Sequence, residues 1–588
     1  MKFLLVGINA KYIHSNPAIY SLNAFAGKYK DKDNRPLSDH IQLCEYTINQ
    51  NAEDILADIY RKKADVIAFS CYIWNITMVI NIMDELHKIE PNLPIWIGGP
   101  EVSFDPAEEL VKRPYLAGIM IGEGEKTFTE LLNNYLEDKP EPENLQNIKG
   151  IYIQSGFTGE RPCVDLNEIP FFYQNLEEFE NRIIYYESCR GCPFRCSYCL
   201  SSIDKRVRFR DISTVKTELK FFMDHDTAQV KFIDRTFNAN HEHAMAIWRF
   251  IQENDNGITN FHFEISADLL HEDEIKLLNQ MRPGLVQLEI GVQSTNKDTI
   301  QAINRTMNLE KLIYAVESIE KAKNIHQHLD LIAGLPYEDY ESFHQSFNDV
   351  YNMKPEQLQL GFLKVLKGAG IFGKLKEYGL SYGNNPPYEV LFTKWLSYEN
   401  VIKLKQIESM VEIFYNSNQF RNTLKVLVKT FDDAFTMYEK LAFYYEQNGY
   451  FKMSVKRIYF YEVLLQFAEK YDEKNKDLYR ELLTFDCYLR ENIKTRPQFA
   501  ISNEQDKEKS RQLYMQEFDN QTFSNYEGFD VKQIMKMTHI EFFNYSVCED
   551  NVESIFRKKK ERIAVIFDYK ERNPLTSDCR LIFPVRRN

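Results

Sequence analysis

Short apolar runs separated by amphipathic segments fill the first 140 residues of the chain. The apolar runs are Phe3–Gly7, Ile41–Ile48, Val66–Tyr72, Ile95–Gly99 and Ala117–Ile121. Between the later runs, Ile76–Ile89 and Glu125–Leu136 have the length and the period of amphipathic helices. Buried strands that alternate with helices predict a parallel sheet covered on both faces, so we expect an α/β domain over residues 1–140.

A second α/β block follows a polar stretch. We predict a linker over residues 141–181 with a short hairpin-like piece at Ile151–Ile169. The strand-like runs of the second block are Ile183–Glu187, Val230–Ile233, Phe261–Ile265, Val286–Val292, Leu329–Ile332 and Leu358–Val365. Segments of helical length separate these runs. Six βα repeats predict a partial (β/α)6 barrel over residues 182–375, with its active site at the C-terminal ends of the strands.

Helical periodicity dominates from about Pro386 onward. The long helical segments are Val401–Tyr415, Thr423–Gln447, Val455–Tyr471 and Leu478–Asn492. Strand-like runs return at Ile563–Phe567 and Leu581–Pro584. Phe and Tyr at helical spacing are typical of core positions. We therefore predict a mainly α-helical domain with terminal strands over residues 386–588.

Composition and charge narrow the class of protein. The 588 residues are 44% hydrophobic and 27% charged, as in folded multidomain proteins. A formal net charge of -14 argues against a general nucleic-acid binder, because phosphate contacts need a basic surface. The basic run Arg557–Lys560 is expected to be a solvated helix face. No apolar stretch approaches the ~20 residues of a membrane span, and we expect a cytoplasmic protein with reduced cysteines.

Four of the ten cysteines lie between Cys189 and Cys199, directly after the first strand of the second block. Thiolates bind soft metals. Structural zinc sites separate two cysteine pairs by a dozen or more residues, and bacterial ferredoxin runs have gaps of two, two and three. The gaps here are two, three and two, so neither template fits. Without Cys189, the pattern Cys192-x3-Cys196-x2-Cys199 could hold three irons of a cubane and leave the fourth open.

The segment Arg190–Cys199 resembles the signature of radical S-adenosylmethionine (SAM) enzymes, including the aromatic residue before the last cysteine. The resemblance implies that Cys192, Cys196 and Cys199 bind a [4Fe–4S] cluster whose open iron chelates SAM. An electron from the cluster would cleave SAM to methionine and a 5′-deoxyadenosyl radical. Cys189 departs from the usual pattern and is not expected to be a ligand. By the same resemblance, the SAM-binding residues are Tyr198, Asp234, Glu264, Gln293, Ser294 and Ile332.

Three strand-end loops in residues 1–140 resemble those of the Rossmann-like cobalamin-binding domain in one large class of radical SAM enzymes. Glycines there allow a large ligand to approach the backbone. The resemblance implies cobalamin contacts at Ser70, Cys71, Tyr72, Trp74, Gly98, Gly99, Glu101, Gly122, Glu123 and Gly124. The usual axial-histidine motif, Asp-x-His-x-x-Gly, is absent. We therefore expect no histidine on cobalt, and we expect Trp74 to face its lower side.

The leading functional hypothesis is a radical C-methyltransferase that acts on an unactivated carbon, with cobalamin as the methyl carrier. The alternative is a cobalamin-assisted cyclisation or rearrangement without methyl transfer. An RNA methylthiotransferase is less favoured, because the N-terminal block has no second cysteine triad. A cobalamin or redox sensor is also less favoured, because a sensor needs no open iron. We expect a small-molecule or peptide substrate, an external electron donor such as flavodoxin or ferredoxin, and no membrane or nucleic-acid partner.

Overall fold

The computed structural model describes residues 1–137, 142–493, 495–501, 505–549 and 551–584. Along the chain, a parallel-sheet domain precedes a partial barrel and a helical region that ends in a small sheet. This order confirms the predicted fold class. Within the described residues, none of the helices combines the length and the hydrophobicity needed to cross a bilayer.

The N-terminal domain is one seven-stranded sheet with helices on its faces. Its strands, β1 to β7, are Phe3–Asn9, Ile41–Thr47, Val66–Ser70, Ile95–Gly98, Leu116–Met120, Ile151–Ile153 and Gly156–Phe157. Its helices, α1 to α6, are Pro17–Ala26, Ala52–Arg61, Ile76–Ile89, Pro106–Lys112, Gly124–Glu137 and Pro142–Leu145. The strand order is β2-β1-β3-β4-β5-β6-β7.

The order of the strands locates a crevice in this domain. The first five strands are parallel, and β6 and β7 add an antiparallel hairpin at one edge. The hairpin expected in the linker thus extends the N-terminal sheet. Chain order reverses between β1 and β3, and ligands bind beyond the strand ends at such a switch point. The loops that follow Asn9 and Ser70 flank it.

The barrel is an open six-stranded parallel sheet in the order β15-β14-β13-β12-β11-β8. Strands β8 to β15 are, in order, Ile184–Tyr186, Cys189–Arg190, Arg208–Phe209, Gln229–Phe232, Asn260–Ile265, Val286–Gln293, His326–Ala333 and Gln357–Phe362. Strands β9 and β10 form a separate short pair. The helices α7 to α12 are Ile212–Asp224, His241–Glu253, Glu272–Leu278, Lys297–Ala302, Leu309–Glu320 and Tyr340–Asn352.

The C-terminal region is mainly helical. Its helices, α13 to α21, are Leu375–Tyr378, Tyr398–Met410, Arg421–Leu427, Ala434–Gln447, Arg457–Tyr471, Lys476–Arg490, Asp506–Asp519, Val531–Met537 and Val552–Ile555. Its strands, β16 to β20, are Ser381–Tyr382, Val390–Phe392, Thr538–Tyr545, Lys558–Arg572 and Cys579–Ile582. The last three strands form one antiparallel sheet.

The structure corrects the sequence analysis at three points of this region. The single helical segment expected over Thr423–Gln447 is two helices, because the Asp433 side chain accepts a hydrogen bond from Thr436 N and starts α16 anew. Strand β18 was not predicted. The basic run Arg557–Lys560 is not a helix face, because Lys558 begins strand β19, which pairs with β18.

The helical region packs against the barrel at its edge strand β15 and helix α12. The Asn416 amide oxygen accepts from Leu358 N on the edge strand β15 at 2.9 Å. Tyr340 of α12 donates to Glu439, and His344 of α12 lies 2.8 Å from Asp433. One continuous apolar core contains the outer face of the barrel strands and helices α14 to α18. The two parts therefore fold as one body.

Candidate active site between the two domains

The cysteine loop leaves β8 at the C-terminal mouth of the barrel and turns back through the β9–β10 pair. Gly191 makes this turn with φ of +103°. A Cβ atom at this position would lie 2.2 Å from the Arg206 carbonyl oxygen, so only glycine fits. The loop backbone is thereby held against residues 206–209.

Asp234 anchors the start of the loop. Its carboxylate accepts hydrogen bonds from Ser188 N at 2.8 Å, Ser188 Oγ at 2.5 Å and Cys189 N at 3.1 Å. Burial raises the pKa of Asp234 to about 7. Both carboxylate oxygens accept hydrogen bonds from the protein, so this predicted SAM-binding residue lies behind the cysteine loop.

The far end of the loop is held by two later segments, one between β13 and β14 and one after β15. Ser197 N donates to the Ile303 carbonyl at 2.8 Å, and Ile371 N donates to the Ser197 carbonyl at 2.7 Å. Cys192 and Cys196 are buried, and Cys199 is half-buried. Cys192 Sγ lies 3.5 Å from Thr236 Oγ1. The three thiols of the predicted triad thus share one fixed loop.

Arg305 is a site residue that sequence reasoning missed. Its Nη1 lies 3.8 Å from Cys196 Sγ, and its Nη2 donates to the Gly291 carbonyl. Within the described part of the chain, its Nε and Oε1 of the nearby Gln293 are buried and have no hydrogen-bond partner. Arg305 follows a short helix in a polar loop, a setting in which the sequence gives no sign of burial. A half-buried guanidinium group and a buried amide therefore lie beside the cysteine loop.

The other predicted SAM-binding residues lie on separate strand ends. Tyr198 and Ile332 belong to the margin of one apolar cluster. Glu264 lies 3.7 Å from Arg235, and burial raises the pKa of Glu264. Ser294 donates to the buried Glu338 at 2.5 Å. Ser294 thus has a partner within the protein, whereas Glu264 remains at the barrel mouth.

A cavity of about 1170 Å³ separates the N-terminal domain from the barrel mouth. The predicted cobalamin residues that line it are Ser70, Tyr72, Trp74, Gly98, Gly99, Gly122, Glu123 and Gly124. Cys71 does not line it, because its side chain has no exposed surface and belongs to the domain core. Glu101 accepts a hydrogen bond from Tyr388 instead. Gly99 has a φ of +118°, and a Cβ atom at this position would lie 2.5 Å from the Cys71 carbonyl oxygen, so the backbone can pack this closely only at a glycine.

Trp74 is held in the wall of this cavity. Its indole Nε1 donates to the Ile8 carbonyl at 3.2 Å, and its ring stacks on Tyr72 with centroids 4.3 Å apart. The side chain is still 45% exposed, so one aromatic face remains available to a ligand. His14 lies in the loop after β1, and the distance between its Nδ1 and the hydroxyl oxygen of Tyr185 in the barrel is 2.5 Å. Its burial lowers the pKa of His14.

Ion pairs join the cobalamin-type loops to the cysteine loop. Arg190 lies 2.7 Å from Glu187 and 3.0 Å from Glu125. Arg208 pairs with Glu123. Burial raises the pKa of Glu123, but the hydrogen bond from Arg208 and the charge of Arg190 outweigh it, so the net shift is downward. The two domains are therefore tied together next to the triad.

Comparisons with known families agree with this arrangement. Residues 4–132 match the B12 binding domain, and residues 186–350 match the radical SAM superfamily. Residues 376–567 match a protein family of unknown function, DUF4080. The chain thus carries a B12-binding domain followed by a radical SAM domain, which confirms the resemblance drawn from the cysteine loop and the three strand-end loops.

A curated relative is the cobalamin-dependent radical SAM methyltransferase TokK of Streptomyces tokunonensis, which is 26% identical over 54% of this chain and 49% of that protein. The chain spans about half the length of the first curated relatives it matches. Among solved structures, TsrM of Kitasatospora setae, with cobalamin and a [4Fe–4S] cluster bound, has a TM-score of 0.52 at 14% identity, covering 66% of this chain and 79% of that one. OxsB, with aqua-cobalamin and SAM bound, has a TM-score of 0.55 at 15% identity, covering 88% and 75%. These structures share the fold.

The buried Glu338 predicts a pH-dependent stability. Burial raises the pKa of Glu338 to about 8, from 4.5. The stability gained from its protonated form is therefore complete below pH 4.5 and is lost as the pH rises through about 8. In Glu338→Gln, the unfolding temperature measured by calorimetry should fall less over this range than in the wild type. The exposed Glu341→Gln should follow the wild type; a Glu338→Gln profile parallel to the wild type would contradict the assignment.

Proposed function

We propose that this chain, in which a B12-binding domain precedes a radical SAM domain, is a cobalamin-dependent radical SAM enzyme that methylates an unactivated carbon. One observation carries the proposal. Residues 189–191 at the start of the cysteine loop line the same cavity as the strand-end loops of the B12-binding domain, and Arg190 pairs with Glu125 of that domain. Both cofactors would therefore meet in one interdomain space.

The residues at the loop fit a three-thiolate cluster with bound SAM. Cys192, Cys196 and Cys199 supply the soft donors that iron prefers. Arg305 Nε and Gln293 Oε1 are buried polar atoms that have no partner among the residues the structure describes, and burial of such atoms is costly unless a ligand satisfies them. We assign these two residues, with Glu264, to the polar end of SAM and its ribose.

The cavity fits cobalamin on the other side. Its volume of about 1170 Å³ and the glycines at Gly98, Gly99 and Gly122 suit a large ligand close to the backbone. Trp74 presents an aromatic face in this wall. We assign Trp74 to the cobalamin site, where its indole would offer an aromatic surface and no lone pair to the metal.

When bound, the cluster supplies the electron that cleaves SAM, and cobalamin carries the methyl group. The residues of the chain position these groups and exclude water. Asp234 and Ile371 fix the two ends of the cysteine loop, and the Arg190 and Arg208 ion pairs hold the domains at a set distance. Because these contacts fix the groups in place, the reactants are held in one orientation and need not meet by diffusion. A one-electron donor protein would supply the reducing equivalent from outside.

The products formed from SAM test the proposal. Anaerobic protein loaded with cluster and cobalamin is incubated with SAM, reductant and extract of the source cells. We expect equal amounts of 5′-deoxyadenosine and S-adenosylhomocysteine. Deoxyadenosine alone would instead support the cyclisation or rearrangement alternative, and neither product would contradict both. Cys192→Ser should lose cluster iron and both products, because it removes a ligand, whereas Cys189→Ser should keep them.

The role of Trp74 can be tested by electron paramagnetic resonance of the cob(II)alamin form. In Trp74→His, an imidazole nitrogen that binds cobalt should add a nitrogen superhyperfine splitting. Methyl transfer should slow at least about tenfold, because a donor nitrogen on cobalt would make the metal harder to reduce. Trp74→Phe, which keeps an aromatic face without a donor nitrogen, should show no new splitting. An unchanged spectrum and turnover in Trp74→His would contradict the placement.

A further inference from the structure

The inner face of the barrel is polar. Barrels of parallel strands are normally filled by branched apolar side chains on this face, and strands buried on both faces read as continuous apolar runs. Here apolar and polar residues alternate along strands β11 to β15, with the outward Gln327 and the inward Ile332 of β14 as exceptions. Their apolar residues, such as Val230, Phe263 and Leu288, pack outward into the common core. The alternate positions, which face the lumen, carry Lys231, His262, Glu289, His328, Asp330 and Gln359.

Contacts between these side chains show that they meet inside the barrel. Lys231 Nζ lies 3.0 Å from Glu289, although strand β12 separates their strands β11 and β13. Glu289 also lies 3.0 Å from His262 Nε2, and His328 Nε2 lies 3.0 Å from Asp330. A pair that spans an intervening strand can form only across the concave face. The lumen thus holds a hydrogen-bonded array in place of an apolar filling.

Solvent reaches the side chains of this array. The side chains of Lys231, Glu289 and Asp330 keep 25%, 24% and 19% of their surface exposed. Gln359 is exposed, and no hydrogen bond of its side chain occurs among the described residues. Two further inward-facing residues, Tyr185 and Ile233, line the interdomain cavity. The part of the lumen around Lys231, which is the register partner of Tyr185, therefore borders the space assigned to the two cofactors.

We infer that the substrate that reaches this lumen is a hydrophilic, charged small molecule, not a lipid or a tetrapyrrole. The inference rests on the proposed function. An apolar substrate would strip water from Lys231, Glu289 and Asp330 without replacing its hydrogen bonds, and such desolvation opposes binding. A substrate with hydroxyl, amide, carboxylate or amino groups replaces those bonds and matches an array that offers both signs of charge.

Isotope transfer from SAM labelled with a trideuterated methyl group identifies the chemical class of the substrate. Extract of the source cells is divided into an aqueous fraction of small molecules and a chloroform-soluble fraction, and each is incubated with the fully loaded enzyme. We expect the label in an aqueous compound. Label in a chloroform-soluble compound would overturn the inference while leaving the methyltransferase proposal intact. If S-adenosylhomocysteine forms with neither fraction and deoxyadenosine is also absent, the proposed function fails.

Two lumen variants test the same inference from the protein side. Gln359→Leu adds an apolar group without removing a described hydrogen bond, and Glu289→Gln keeps the shape of the array while removing a charge. Each should lower formation of the labelled aqueous product at least about tenfold. Bound iron and bound cobalamin, measured by absorption, should stay within about twofold, which shows that both variants are loaded like the wild type. The exposed Glu310→Gln should match the wild type; full labelling by both lumen variants would overturn the inference.

Discussion

The fixed position of one loop, Cys189–Cys199, is the constraint on which the site depends. Asp234 holds its first residues from the next strand of the barrel, and Ile371 holds Ser197 from the chain beyond the barrel. Arg190 ties the loop to Glu125 of the N-terminal domain. Because the anchors come from three regions of the chain, the thiols keep their position relative to the cavity only while all three regions are folded.

The C-terminal region contributes to this constraint indirectly. A six-stranded barrel leaves its edge strand β15 unpaired, and exposed edges invite association with other chains. Helices α14 to α16 cover that edge and share the barrel core. Glu101, from a loop of the N-terminal domain, meets Tyr388 at the start of the same region. The region matched to the family of unknown function is thus a structural part of the barrel.

The sequence was sufficient for the order of the elements, since buried strands and amphipathic helices have distinct periods, and the cysteine spacing located the centre of the site. It was insufficient where a contact joins distant segments. Arg305 gains its role only when the chain places it beside Cys196, 109 residues away. Loop position alone did not separate Cys71, which faces the core, from Trp74, which faces the cavity. Strand β18 was missed because only its pairing with β19 defines it.

We propose that the three thiolates of this loop bind a [4Fe–4S] cluster and leave one of its irons open to SAM. Electron–nuclear double resonance on the reduced cluster, with SAM labelled by 15N in its amino group, measures this directly. We expect that SAM shifts the g values of the cluster and that the label gives a resolved 15N coupling. An unchanged spectrum without a 15N coupling, in protein that contains the full complement of iron, would contradict it.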